Sequence, residues 1–270
     1  MKSVVRTFDR RVTKGRLFLA YNGVVGKRYR TIQRMHENPI LLGGSGRSGT
    51  TLLVSLLSAH PNIYAVPDET AAFCPTAYSE KENLQAAFNI EQVYNYLMDP
   101  AVELENYTRW CEKSPKNILF AERLLEYFGD GARFINIVRD GRDVVTSTHP
   151  SDPDSYFVSP EEWVRDVSAG RQIEDHPRVL TVRYEDIVRG HLPPLRQICE
   201  FIGEPFLEEA FRAYPESAQL QESRAWYGQA REISDSSVGR WKKDEHTKVV
   251  DRLYATDGAE ELLEHYGYLR

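Results

Sequence analysis

From Pro39 onward, short apolar runs alternate with longer stretches of helical periodicity. Runs at 40–43, 63–66, 109–112, 133–138 and 178–184 are strand-like in length and composition. Between most of them lie helical patterns such as Leu52, Leu53, Leu56 and Leu57, a set that belongs in a core. Long crossovers between short apolar strands predict an α/β fold of three layers, αβα, around a mostly parallel sheet. Pro/Ser/Asp-rich 149–160 and polar 214–238 read as long loops, a common place for lids and binding segments. Ahead of this region, Val5, Phe8, Val12 and Leu19 fall roughly along one face of a basic helix over 2–22. The expected organisation is a basic arm or helix over 1–36 and one domain over 37–270, with no internal repeat.

The first apolar run passes into Gly43-Gly44-Ser45-Gly46-Arg47-Ser48-Gly49-Thr50-Thr51 and then into a helical pattern. Strand, glycine loop and helix N-terminus together form an anion cradle. Free N–H groups and the positive end of the helix dipole face the ligand, and glycine permits close approach. The spacing from Gly44 to Gly49 matches the front of a nucleotide-binding P-loop, so the sheet is expected to be P-loop-like. Thr50, however, stands where that motif has its lysine, and the positive charge sits at Arg47 inside the loop. The anion is therefore expected to be something other than a nucleoside triphosphate.

Three further clusters are candidates for chemistry. Arg133 to Ser147 reads as a buried strand ending at Val138, an Asp-Gly turn and a helix, with Arg139 at the carboxyl edge where open α/β sheets bind ligands. Arg139 and Ser147 are placed to reach one terminal phosphate, arginine through its bidentate fork. The plainer alternative is a local ion pair, Arg139-Asp140 or Arg142-Asp143. Cys111-Glu-Lys113-Ser-Pro-Lys116-Asn117 reads as a strand end followed by a helix start, with Ser114 as cap and Lys113 either in solvent or in the cleft. In Val66-Pro-Asp68-Glu69-Thr70, Asp68 is a candidate helix cap and Glu69 either a dipole partner or a catalytic carboxylate.

Composition narrows the class. The three cysteines, Cys74, Cys111 and Cys199, are widely spaced and odd in number, so buried thiols are expected rather than disulfides or a zinc site. Residues 1–36 hold ten Lys/Arg and one acid, which leaves 24 basic and 39 acidic residues, a balance of −15, within the overall −6. An acidic body argues against general nucleic-acid binding. A basic segment over 1–34 is compatible with an anionic membrane surface, although packing on the acidic body is the simpler expectation. The sequence contains no signal-peptide pattern and no apolar span long enough for a bilayer, so a cytoplasmic location is expected. A chain trimmed of a Golgi anchor would read the same way.

Together, the Gly44–Leu53 and Arg139/Ser147 stretches resemble the sulfotransferases that use 3′-phosphoadenosine-5′-phosphosulfate (PAPS). The resemblance covers about residues 38–245. It implies that Gly46, Arg47, Ser48, Gly49, Thr50 and Thr51 hold the 5′-phosphosulfate, and Arg139 and Ser147 the 3′-phosphate. Val182-Arg-Tyr184 resembles the strand whose tyrosine lies near the adenine. Ser236-Ser237-Val238-Gly239-Arg240-Trp241 resembles the late loop that closes over the nucleotide. The Glu69-Thr70 stretch is similar to that of tyrosylprotein and carbohydrate-type sulfotransferases, which implies Glu69 as general base and Lys113 beside the transferring group. His149 is the fallback base. The implied reaction is in-line transfer to an acceptor hydroxyl of a protein tyrosine, a carbohydrate or a small metabolite. A sulfuryl group carries less negative charge than a phosphoryl group, so placed cations (Arg47, Lys113) suffice and no metal is expected. The rival expectations are a P-loop kinase, which requires a lysine at position 50, and a non-catalytic nucleotide-binding protein.

Overall fold

Alternate residues of a central strand face opposite packing layers, which is why its sequence is apolar throughout. The computed structural model of the chain describes residues 27–74, 83–149, 152–220 and 232–269. In it, strand β1 (Ile40–Gly44) sends Leu41 into one core with Trp110 and Phe134. Ile40 and Leu42 enter a second core with Ile135, Ile137 and Val182. Phe134 is fully buried, and a side chain of that size contributes about 1.5–3 kcal/mol by burial.

The other sheet strands are β2 (Ile63–Ala65), β3 (Arg109–Lys113), β4 (Arg133–Val138) and, after the small hairpin described below, β7 (Val179–Arg183). They pair in the order β2-β3-β1-β4-β7, every neighbour parallel, as the apolar runs predicted. Helix α1 (Lys27–His36) packs Ile32 and Met35 into the first core. The basic helix expected over 2–22 lies outside the described residues. Helices α2 (Thr50–Leu57), α3 (Glu91–Leu97), α4 (Ala121–Phe128) and α5 (Gly141–Val145) follow in order along the chain. A third core joins α6 (Pro160–Gln172) to α10 (Thr247–Tyr254) and α11 (Ala259–His265) through Trp163, Leu253, Leu262 and Leu263. Between β7 and α10 lie α7 (Tyr184–Arg189), α8 (Leu192–Ile202) and α9 (Glu208–Arg212).

Connections run from β1 to β2 and β3 on one side, then return to β4 on the other. In open α/β sheets such a reversal marks the ligand crevice, here at the carboxyl ends of β1 and its neighbours β3 and β4. The register brings the ends level: Leu42 pairs with Lys113, and Gly44 with Ile137.

Two local expectations differ from the structure. The stretch 149–160 was expected to be loop, yet β5 (Thr148–His149) and β6 (Asp152–Tyr156) form an antiparallel pair there. Its Asp/Pro/Ser composition shows no alternation because backbone pairing, not a buried face, defines the element. Ser147, expected within a helix, lies just past α5, whose last residue is Val145. Among the described residues, no helix is long and apolar enough to cross a membrane.

Candidate active site

In the loop between β1 and α2, Ser48 N–H donates to the Ser45 carbonyl at 3.3 Å, and most other backbone donors have no partner among the described residues. The N–H groups of Gly46, Arg47, Gly49, Thr50 and Thr51 donate to no group among the described residues. Gly49 takes a left-handed conformation, φ 95° and ψ 17°, to start α2. A Cβ there would lie 2.4 Å from the Tyr184 ring. Both facts require glycine at this position. Arg47 is also left-handed, φ 64°, a conformation that costs a non-glycine residue about 1 kcal/mol or more. The hydroxyls of Ser45 and Ser48 are buried without a hydrogen-bond partner. Unfilled N–H groups and orphaned hydroxyls around one turn suit a bound oxyanion.

The cation missing at position 50 comes from the adjacent strand. Lys113, at the end of β3 and 2 % exposed, donates from Nζ to Thr51 Oγ1 at 3.2 Å and pairs directly with Glu69 Oε1. Burial pulls its pKa below the usual lysine value, against the opposing pull of Glu69. Neither Asp68 nor Ser114 caps a helix by its side chain, as the plainer reading expected. Asp68 accepts from Tyr96 Oη at 2.8 Å, and Ser114 Oγ donates to Glu112 at 2.8 Å. The Asp68 partner is distant in the chain, whereas Ser114 keeps the position before Pro115 but turns its hydroxyl to Glu112, two residues back, while accepting from Ala71 N–H at 3.2 Å.

On the other side of β1, Arg139 emerges from β4 with its guanidinium 4.4 Å over the Tyr184 ring. The local ion pair considered for it is not formed; Arg142 takes Asp140 instead, at 2.7 Å. The fork expected to face a phosphate is directed to the protein. One arm donates to the Arg47 carbonyl at 2.9 Å and the other to the Ser237 carbonyl at 2.6 Å. Only Nε of Arg139 is buried without a partner. Ser147 Oγ donates to the Asp143 carbonyl at 2.8 Å. Tyr184 Oη and Ser237 Oγ lie 2.6 Å apart, and Trp241 packs under Arg142 at 4.1 Å. Arg47 and Arg139 have no carboxylate partner among the described residues, and both Arg139 and Arg240 act on Arg47 as like charges. Desolvation, then the like charges of Arg139 and Arg240, lower the Arg47 pKa. Concentrated positive charge with no counterion among the described residues fits an anionic ligand better than a structural role.

Asp143 was missed by the sequence reading. Its buried carboxylate accepts from the N–H of Gly239 at 2.7 Å and of Trp241 at 3.1 Å, and so pins the late loop to α5. The signal was its spacing, four residues from both Arg139 and Ser147, but an aspartate in the first turn of a helix looks like a dipole partner. Val238 packs on the second core. The backbone of His149 lies in β5; its side chain is outside what the structure describes.

Known proteins resemble this chain in sequence and in fold. The family model described as Sulfotransferase family matches residues 39–209. The protein-tyrosine sulfotransferase of Drosophila melanogaster is 28 % identical over 191 residues, 62 % of this chain, and the match spans only 38 % of that protein's length. Among solved structures, the sulfotransferase domain from the curacin biosynthetic pathway superposes with a TM-score of 0.53 at 20 % identity, covering 80 % of this chain and 97 % of that one. Mouse sulfotransferase SULT7A1, complexed with PAP, gives 0.51 at 16 % identity over 88 % and 94 %. These two likenesses speak for the fold, and the family match extends from β1 through the crevice and on to α9. With a glycine loop that lacks the P-loop lysine and a β3 lysine, Lys113, in contact with Thr51, the chain belongs to the sulfotransferase family.

Proposed function

We propose that the chain transfers a sulfuryl group from PAPS to an acceptor hydroxyl, with Glu69 as general base. One observation carries this reading: Lys113 Nζ touches both Glu69 and Thr51. A proton acceptor, a cation and an anion loop thereby converge on one point, from positions 44 and 62 residues apart.

When bound, the donor supplies an activated sulfuryl group on a phosphate. The N–H groups of the 46–51 loop, with the hydroxyls of Ser45 and Ser48, would hold its 5′ end. Arg139 through Nε, Ser147, Tyr184 and the 237–241 loop would hold the 3′-phosphoadenosine end. Glu69 accepts the proton of the acceptor hydroxyl, late in the reaction because a carboxylate is a weak base. Lys113 offsets charge on the leaving phosphate oxygen, and Arg47 on the sulfuryl oxygens, in a partly dehydrated site where such charges act most strongly.

A phenolic hydroxyl is the first acceptor to test, because the Drosophila relative is named for tyrosine. The experiment is an acceptor screen with ³⁵S-labelled PAPS against tyrosine peptides, saccharides and small phenols, comparing wild type with Glu69→Ala. Label is expected to move to one class with wild type and not with the variant. Calorimetry showing no heat with 3′,5′-diphosphoadenosine but clear heat with magnesium ATP would favour a kinase and end this reading.

A further inference from the structure

The residue preceding Lys113 grips the residue following Glu69. Glu112, fully buried, accepts at Oε1 from Thr70 Oγ1 at 2.8 Å, from Thr70 N–H at 3.3 Å and from Ser114 Oγ at 2.8 Å. Its Oε2 accepts from Asn117 Nδ2 at 2.7 Å, and the same amide donates to the Leu42 carbonyl of β1 at 3.1 Å. The β2–β3 ladder has already ended here. Beyond it Val66 N–H donates to the Cys111 carbonyl at 2.8 Å, and Pro67, the next residue, has no N–H to donate. Past Val66, the side chains of Glu112, Lys113 and Ser114 hold the 69–71 segment on β3. Glu69 meets Lys113 on one face of the strand, and Thr70 meets Glu112, whose side chain alternation sends to the other.

The backbone here is strained as well. Ala71 has φ 48°, and its N–H donates to Ser114 Oγ at 3.2 Å, while Ala72 N–H donates to Thr70 Oγ1 at 3.2 Å. A non-glycine residue in the left-handed region persists only where its surroundings over-determine it. The Glu112 network supplies that restraint.

We propose that Glu112 is a positioning residue: through Thr70 and Ser114 it holds Glu69 against Lys113, so that base and cation sit in reacting geometry before substrate arrives. This rests on the roles given above to Glu69 and Lys113. Burial raises the Glu112 pKa, and the donors from Asn117, Ser114 and Thr70 oppose that rise, which fits a carboxyl retained for its acceptor geometry.

The test uses Glu112→Gln, Thr70→Val and the double variant of the full chain. Three quantities are read: affinity for 3′,5′-diphosphoadenosine by calorimetry, ³⁵S-sulfate release from PAPS with water as acceptor, and unfolding. Each single variant is expected to bind the nucleotide within about threefold of wild type yet to lose roughly ten- to a hundredfold in turnover, the scale of a misplaced reacting group. The double variant should lose no more than the worse single, since both cut one link. A second cycle, Glu69→Gln with Lys113→Met, measures the coupling of that pair in unfolding. The coupling should shrink in the Glu112→Gln background. Wild-type turnover in Glu112→Gln, or additive losses in the double variant, overturns the proposal. If Glu112→Gln fails to fold, Thr70→Val decides alone, because it cuts the same link from the other side. If wild type neither binds the nucleotide nor releases sulfate, the functional reading falls, and the unfolding cycle, which needs no nucleotide, still decides the role of Glu112.

Discussion

Lys113→Met separates the cost of holding a buried charge from its use. The lysine side chain is 3 % exposed and its partner Glu69 22 %. Burial lowers the Lys113 pKa despite the adjoining carboxylate, so desolvation outweighs pairing and the charged lysine is a net burden on the fold. Removing one partner of a wholly buried pair costs about 3–5 kcal/mol. Here the partner left behind retains contact with water, and methionine refills most of the apolar volume. The variant should therefore stay within about 1 kcal/mol of wild type, or roughly 2–4 °C in Tm for a chain of this size. Turnover behaves oppositely: loss of one electrostatic stabiliser costs about 2.7–4 kcal/mol of activation energy, a factor of roughly a hundred to a thousand. The assay pairs thermal unfolding with PAPS turnover and 3′,5′-diphosphoadenosine affinity on the same preparation. Turnover within about threefold of wild type would refute the assigned role. A fall in Tm beyond about 8 °C would refute the claim that desolvation dominates.

Other outcomes follow from the same geometry. Because the folded pKa of Lys113 lies below its unfolded value, the unfolded chain binds more protons between the two. This residue's burden on stability is therefore full below the folded pKa and is relieved as pH rises toward the unfolded one, while activity falls over that window; unfolding and rate profiles taken on wild type and Lys113→Met expose both signs. Asp143→Asn puts an amide N–H₂ against one of two loop donors, so affinity for 3′,5′-diphosphoadenosine should fall about tenfold or more by calorimetry, with little change in the far-UV spectrum. Unchanged affinity would show that the late loop needs no such anchor. Gly49→Ala adds a Cβ 2.4 Å from Tyr184 at φ 95°, which should lower Tm by several degrees and abolish measurable nucleotide heat; an unperturbed Tm would contradict the required left-handed turn.

Much of this was local information. The five apolar runs became five parallel strands because β1 and its neighbours are buried on both faces, and burial on both faces leaves a continuous apolar signature. The glycine loop with Arg47 was legible because turn, free donors and helix start are consecutive in the chain. The antiparallel pair of Thr148–His149 with Asp152–Tyr156 was not, since its described side chains are exposed or half-buried and impose no alternation. The fork of Arg139 was read toward a phosphate, but it donates to carbonyls of Arg47 and Ser237, partners 92 and 98 residues away. Ser114 and Asp68 carry the sequence marks of helix caps, but the Asp68 carboxylate accepts from Tyr96 and the Ser114 hydroxyl bridges Glu112 and the Ala71 N–H. Lys113 and Glu69 were each identifiable as charged residues at strand ends, but only the pairing of β2 with β3 beside β1 brings them into contact with each other and with Thr51. Local sequence therefore determined which segments form strands and where an anion is cradled, because those properties depend on neighbours in the chain. Tertiary structure decided which buried charges meet, because a sheet's order and register bring together side chains that no spacing along the sequence relates.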